Sequence, residues 1–127
     1  MEVIKVSSSR KIELIDITAR VAEKVYNFPE AKALMLYVPH TTAGILINEN
    51  ADPDVKRDLE MYFERVVPEL PFRHFEGNSP AHILSSLVGV SLYVPINQGK
   101  LGLGTWQGIY FAEFDGPRER KVYLTLL

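Results

Sequence analysis

The sequence predicts an α+β fold made mainly of antiparallel strands, and three observations carry that prediction. Segments of two-residue apolar alternation outnumber segments of helical spacing, and alternation marks strands that bury one face. Helix-start signals are confined to a few places, the clearest being Asp52-Pro53 and Ser79-Pro80. The 127 residues, 46% apolar and 24% charged, suit one domain, 1–127, with a real core.

Taken in order, Val3 to Ser7 and Ile12 to Ile17 read as strands. Thr18 can cap a short helix, Ala19 to Tyr26, with Val21, Ala22 and Val25 on its apolar face. Ala33 to Val38 is a buried strand and Ile45 to Asn48 another. Asp52 as N-cap and Pro53 at the first helical position open a helix to Val67. Its Val55, Leu59, Tyr62, Phe63 and Val66 recur at helical spacing. Pro68 to Gly77 is a loop containing His74, and Ser79-Pro80 starts a short helix, Ala81 to Leu87. Val90 to Ile96 is β-rich, and Asn97 to Gly104 is a glycine-rich connection in which Gly102 and Gly104 permit a tight turn or a close approach. The tail reads as a hairpin: Gln107 to Phe114, a turn at Asp115–Arg118, then Lys121 to Leu127. On its first strand Gln107 shares a face with Ile109 and Phe111, opposite Trp106, Tyr110 and Phe114.

Charge and composition exclude several classes. A net charge of −2 argues against a nucleic-acid binder, which needs a basic surface. Arg10-Lys11 and Arg118 to Lys121 read as solvated turns. No 18-residue apolar run is present, so no membrane span is expected, and the first residues lack the pattern of a signal peptide. The absence of cysteine removes disulfides and thiolate metal sites and fits a cytoplasmic protein.

The polar residues that interrupt the apolar pattern are the candidates for chemistry. His40 ends a buried strand, His74 lies in a loop, and His82 falls in the first turn of a helix. Three imidazoles brought together by the fold would hold a divalent metal and leave a coordination position open. Histidines so scattered are usually caps or surface residues, and their spacing forms no local metal motif. Glu49 closes an apolar strand, where it is a general base, an extra metal ligand or an exposed strand end.

The stretches HTTAGILINENADPDVKRDL and HFEGNSPAHILSSLVGVSLYVPINQGKLGLGTWQGIYFAEFDGPR strongly resemble the YjbQ-like family, often labelled secondary thiamine-phosphate synthase. The most specific elements are His40-Thr41-Thr42-Ala43, Asn48-Glu49, Asn78 with His82, and Gly104-Thr105-Trp106-Gln107. The resemblance implies a β-sandwich, jelly-roll-like core with two or three helices, assembled as a homotrimer. It also implies that His40, His74 and His82 gather at a metal or ligand site, with Glu49, Asn78 and Gln107 nearby. The implied activity joins a phosphorylated hydroxyethylthiazole to a pyrimidine diphosphate, releasing pyrophosphate. Imidazole ligands suit zinc better than magnesium, which prefers oxygen, although magnesium is what a departing pyrophosphate ordinarily requires.

The leading expectation is therefore a metal-dependent enzyme acting on a small phosphorylated or heterocyclic substrate. His40, His74 and His82 bind the metal, Glu49 and Gln107 are catalytic, and Thr41, Thr42, Asn78 and Gln107 hold substrate. The competing reading is a non-catalytic module that binds a metabolite or anion with the same cluster. A simple hairpin turning at Thr41–Gly44 would separate His40 from Glu49 by roughly 13 Å. Either that hairpin does not form, or Glu49 completes a site on another subunit.

Overall fold

The computed structural model describes all residues, Met1–Leu127. Eight strands and three helices follow in the order β1 (Glu2–Ser7), β2 (Glu13–Asp16), α1 (Thr18–Val25), β3 (Ala33–Tyr37), β4 (Ala43–Glu49), α2 (Pro53–Arg65), α3 (Ser79–Val88), β5 (Ser91–Asn97), β6 (Lys100–Leu101), β7 (Gln107–Glu113) and β8 (Glu119–Leu126). Every strand pair is antiparallel. One sheet has the order β1-β8-β3-β5-β6 and the other β2-β7-β4. The α+β class expected from alternation is thus observed.

Apolar residues from both sheets and from α1 form the larger core, including Val6, Val21, Leu36, Ile45, Phe111 and Val122. The second core lies on the other side of the three-stranded sheet. There Leu14, Tyr110, Ala112 and Phe114 meet Ala81 and Leu84 of α3, with Leu59 and Phe63 of α2 packed against them. Strand β7 is consequently buried on both faces, its Ile109 and Phe111 toward one core and Tyr110 and Ala112 toward the other.

Local chemistry accounts for the element ends. Asp52 caps α2, its carboxylate accepting the Asp54 N–H at 2.9 Å, as the sequence predicts, and the helix stops at Arg65, two residues early. Thr18 is not the cap of α1. It is the first helical residue, and Asp16 Oδ1 accepts its N–H, while the Thr18 hydroxyl accepts the Ile109 N–H. Ser79 likewise lies inside α3. The positive φ angles of the glycine-rich connection fall at Gln98 and Gly99, which form the tight β5–β6 turn, while Gly102 lets the backbone lie against Pro95.

The hairpin expected of the tail is absent, and the simple hairpin at Thr41–Gly44 does not form, the first of the two alternatives for that segment. β3 pairs with β5 and β8, whereas β4 pairs with β7 in the other sheet. β7 and β8 do not pair with each other either. The chain crosses between sheets at residues 38–42 and again at 114–118. The hydrogen bonds that a hairpin would make across itself go elsewhere: the Val38 N–H to Val90 O, Ser8 N–H to Arg118 O, and Gly116 N–H to Lys11 O. The two crossings lie side by side, joined by the Phe114 N–H to Thr42 O at 3.2 Å.

Candidate functional site

The candidate site lies where the two crossings meet. The first carries Pro39, His40, Thr41 and Thr42, and the second leads into β8 with Arg118 and Arg120. His74 arrives from the loop before α3, and Asn78 and His82 from the start of that helix. These residues line one polar cavity of about 420 Å³, with Glu76 at its exposed rim. His40, Thr41 and His82 also face an adjoining cleft that runs to Ser85 and Gly89. Helix α3 is clamped against β4 by the Ser85 hydroxyl on Ala43 O at 2.6 Å and by the Ile45 N–H on Gly89 O at 3.1 Å.

The histidines are held differently. His40 Nε2 accepts the Lys121 N–H at 2.9 Å, so that nitrogen carries a lone pair and the proton of the neutral ring sits on Nδ1. Burial lowers the His40 pKa below the ordinary 6.5, and Arg120, Arg118 and Lys121 add to the effect against the pull of Glu113. The rings of His74 and His82 meet edge to face with centroids 5.2 Å apart.

Beneath the cavity lies an ion pair that the sequence reading missed. Glu113 and Arg120 are buried, and the Arg120 Nε donates to both Glu113 carboxylate oxygens, at 2.9 and 3.2 Å. Arg120 Nη2 donates to Glu113 Oε2, to Thr42 Oγ1 at 2.8 Å and to Thr42 O. Burial pushes the Glu113 carboxyl upward, but hydrogen bonds from Arg120, Ser8 and the Asp115 N–H outweigh it and hold the group below its ordinary range. Arg118 and Lys121, with Arg120 between them, read as a solvated turn in sequence. The available signal was phase: Arg120 occupies an inward position of the alternation continued by Val122 and Leu124.

Glu49 and Gln107 are elsewhere. They pair at the far end of the β4–β7 ladder, whose near end pairs Ala43 with Glu113. Six residues of extended chain put Glu49 about 20 Å from the histidine end. There Gln107 Oε1 accepts the Gly104 N–H at 2.8 Å, and the Glu49 carboxylate makes no hydrogen bond within the chain. Trp106 is exposed beside them.

No three His, Asp or Glu side chains converge as ligands, and the one His40 nitrogen with a free lone pair is occupied by Lys121.

A two-sheet α+β domain with a polar, histidine-lined cavity at the sheet crossings is the class that this geometry defines. The family described as "UPF0047 protein YjbQ-like" matches residues 2–127, and the chain belongs to it. It is 48% identical over 131 residues to the UPF0047 protein YugU of Bacillus subtilis, covering 100% of this chain and 98% of that protein. A crystal structure of a yjbq/upf0047 family protein from Clostridium acetobutylicum superposes with a TM-score of 0.94 at 47% identity, over 100% of both chains. A conserved hypothetical protein from Thermus thermophilus gives 0.91 at 39% identity, again over 100% of both chains.

Proposed function

We propose that the cavity lined by His40, His74 and His82 is the reaction centre of an enzyme acting on a small phosphorylated or heterocyclic substrate. The supporting observation is the convergence of the three histidines, Thr41, Thr42 and Asn78, drawn from separate segments, on one cavity. Imidazoles are the side chains best suited to accept and return a proton near neutral pH. Neutral His40 presents a fixed Nδ1–H donor, while His74 and His82 supply the proton-transfer groups. Thiamine-phosphate synthesis is one reaction of this substrate class. The test is incubation with a mixed metabolite pool, followed by mass spectrometry, for the parent protein and for His82→Ala. Consumption of a phosphorylated or heterocyclic compound, abolished in the variant, supports the enzyme. Stoichiometric binding without turnover transfers the site to the binding-module reading, and a pool in which nothing is consumed or bound refutes the cavity as a reaction centre.

The zinc-like ion implied by the resemblance is a separate proposal, and no step of the reaction is routed through it. Metal content after purification in metal-free buffer, for the parent and for His74→Ala, decides it. Glu49 and Gln107 act here only if a neighbouring copy in a homotrimer delivers them. Mixing folded His40→Ala and Glu49→Ala chains tests that arrangement. Recovered activity supports a composite site, and no recovery in mixed trimers removes it.

A further inference from the structure

Arg120 lies at the floor of the cavity and its guanidinium is only partly used. It is 4% exposed, and Glu113 and Thr42 occupy its Nε and Nη2 hydrogens. No group in the chain accepts from Nη1, which leaves two N–H donors unspent. Asn78 Oδ1 is the one sealed side-chain polar atom without a partner, so Nη1 is not sealed away from the cavity that Arg120 lines. A buried guanidinium held on one edge and open on the other is a preorganised anion donor.

The neighbouring groups continue the pattern. The Thr42 oxygen accepts from Arg120, which orients its own hydroxyl hydrogen away from that bond, and nothing in the chain accepts it. His40 Nε2 is taken by Lys121, so Nδ1–H is the donor left over. Arg118 spends Nε and Nη2 on Asp115 and keeps Nη1 free. Of the nearby carboxylates only Glu76, at the exposed rim, lines the cavity; Glu113 and Asp115 lie behind the arginines they pair with. The cavity thus offers donors on four side chains, two from each crossing. A tetrahedral group with three terminal oxygens uses such a set more fully than a flat carboxylate does.

We infer that Arg120 Nη1, Thr42 and His40 seat the phosphoryl group of a small phosphorylated metabolite, with Arg118 at the mouth and Glu113 as the residue that positions Arg120. The inference rests on the cavity being the substrate site and names the chemical class that the site takes. Its probe is inorganic phosphate, titrated into the intact protein while nitrogen NMR follows the Arg120 Nη signals, with acetate as the comparison. Phosphate is expected to shift Arg120 Nη1 saturably and to bind more tightly than acetate. Thr42→Val, checked for an unchanged fold, is expected to weaken phosphate binding about tenfold, the usual scale for losing a hydrogen bond to a charged group. The half-exposed Arg118→Gln provides a second variant that leaves the core intact, with a loss of about threefold. An unmoved Arg120 signal, acetate binding as tight as phosphate, or undiminished affinity in both variants overturns the inference. If a phosphorylated metabolite shifts His82 and leaves Arg120 untouched, the phosphoryl seat falls while the substrate cavity stands.

Discussion

Replacing Arg120 by Met tests whether the buried ion pair is a single unit of structure. Glu113 is fully buried and its carboxylate accepts from Arg120, the Ser8 hydroxyl and the Asp115 N–H. Arg120→Met removes the first set and leaves a buried charge with two neutral donors. Stranding one member of a buried pair costs about 3–5 kcal/mol, a large share of the roughly 5–15 kcal/mol that holds a domain together. Glu113→Gln strands Arg120 in turn, although Thr42 still accepts from it, and the expected cost is about 3 kcal/mol. The double substitution removes both charges, and the amide oxygen that replaces the Glu113 carboxylate can still accept from Ser8 or Asp115. Its cost is expected to be well below the sum, with a coupling of at least about 2 kcal/mol. Urea unfolding of all four proteins at one protomer concentration measures it, provided the m-values agree. A double variant that loses the full sum of the two single costs refutes the pair as a unit.

Two further outcomes follow from the same region. In Gly44→Ala the new Cβ would lie 2.6 Å from the backbone oxygen of Gly89 and 3.1 Å from a Val88 methyl. The end of α3 must then move off β4, costing about 1–3 kcal/mol in thermal or urea unfolding; an unchanged midpoint contradicts the clamp. His40 has a folded pKa below its ordinary 6.5 through burial, then Arg120, Arg118 and Lys121, opposed by Glu113. The unfolded chain therefore takes up the proton first, so this contribution to stability is present above 6.5 and is lost as pH falls through the lower folded value. Between about pH 7 and 5, stability should fall more steeply in the parent than in His40→Gln; matching slopes in the two proteins contradict the assignment.

Much of the fold is legible because burial repeats along the chain. The inward residues Leu34, Leu36 and Val38 announce β3, and the Asp52-Pro53 pair announces α2. Pairing is not legible in the same way. A short polar connection between two strands looks alike whether the strands fold back on each other or join different sheets. Here both connections join different sheets, because their backbone groups find Val90, Ser8 and Lys11 rather than the other arm of a hairpin. The site suffered the same ambiguity. His40, His74, His82, Thr41, Thr42 and Asn78 were visible as polar breaks and as motif residues, and the fold does bring them together. Arg120 and Glu113 were hidden because a charge in a strand next to a turn reads as solvated, even when its phase points inward.

The crossings also explain why this location is polar. Tyr37 pairs with Tyr123, so continued β3 would place Pro39 opposite Lys121. The chain leaves the sheet there, and the Lys121 N–H loses its strand partner. His40 Nε2 supplies the missing acceptor, and beside the second crossing Arg120 donates to Thr42 O, which also accepts the Phe114 N–H. Each side chain bonds the backbone with one atom and leaves another without a partner in the chain: Nδ1–H of His40 and Nη1 of Arg120. Removing either side chain therefore disturbs the fold and the chemistry together. Alanine scanning at these positions would confound loss of the fold with loss of the proposed site. Substitutions that restore the backbone acceptor, such as His40→Gln, separate the two contributions because they keep the crossing closed while removing the titrating ring.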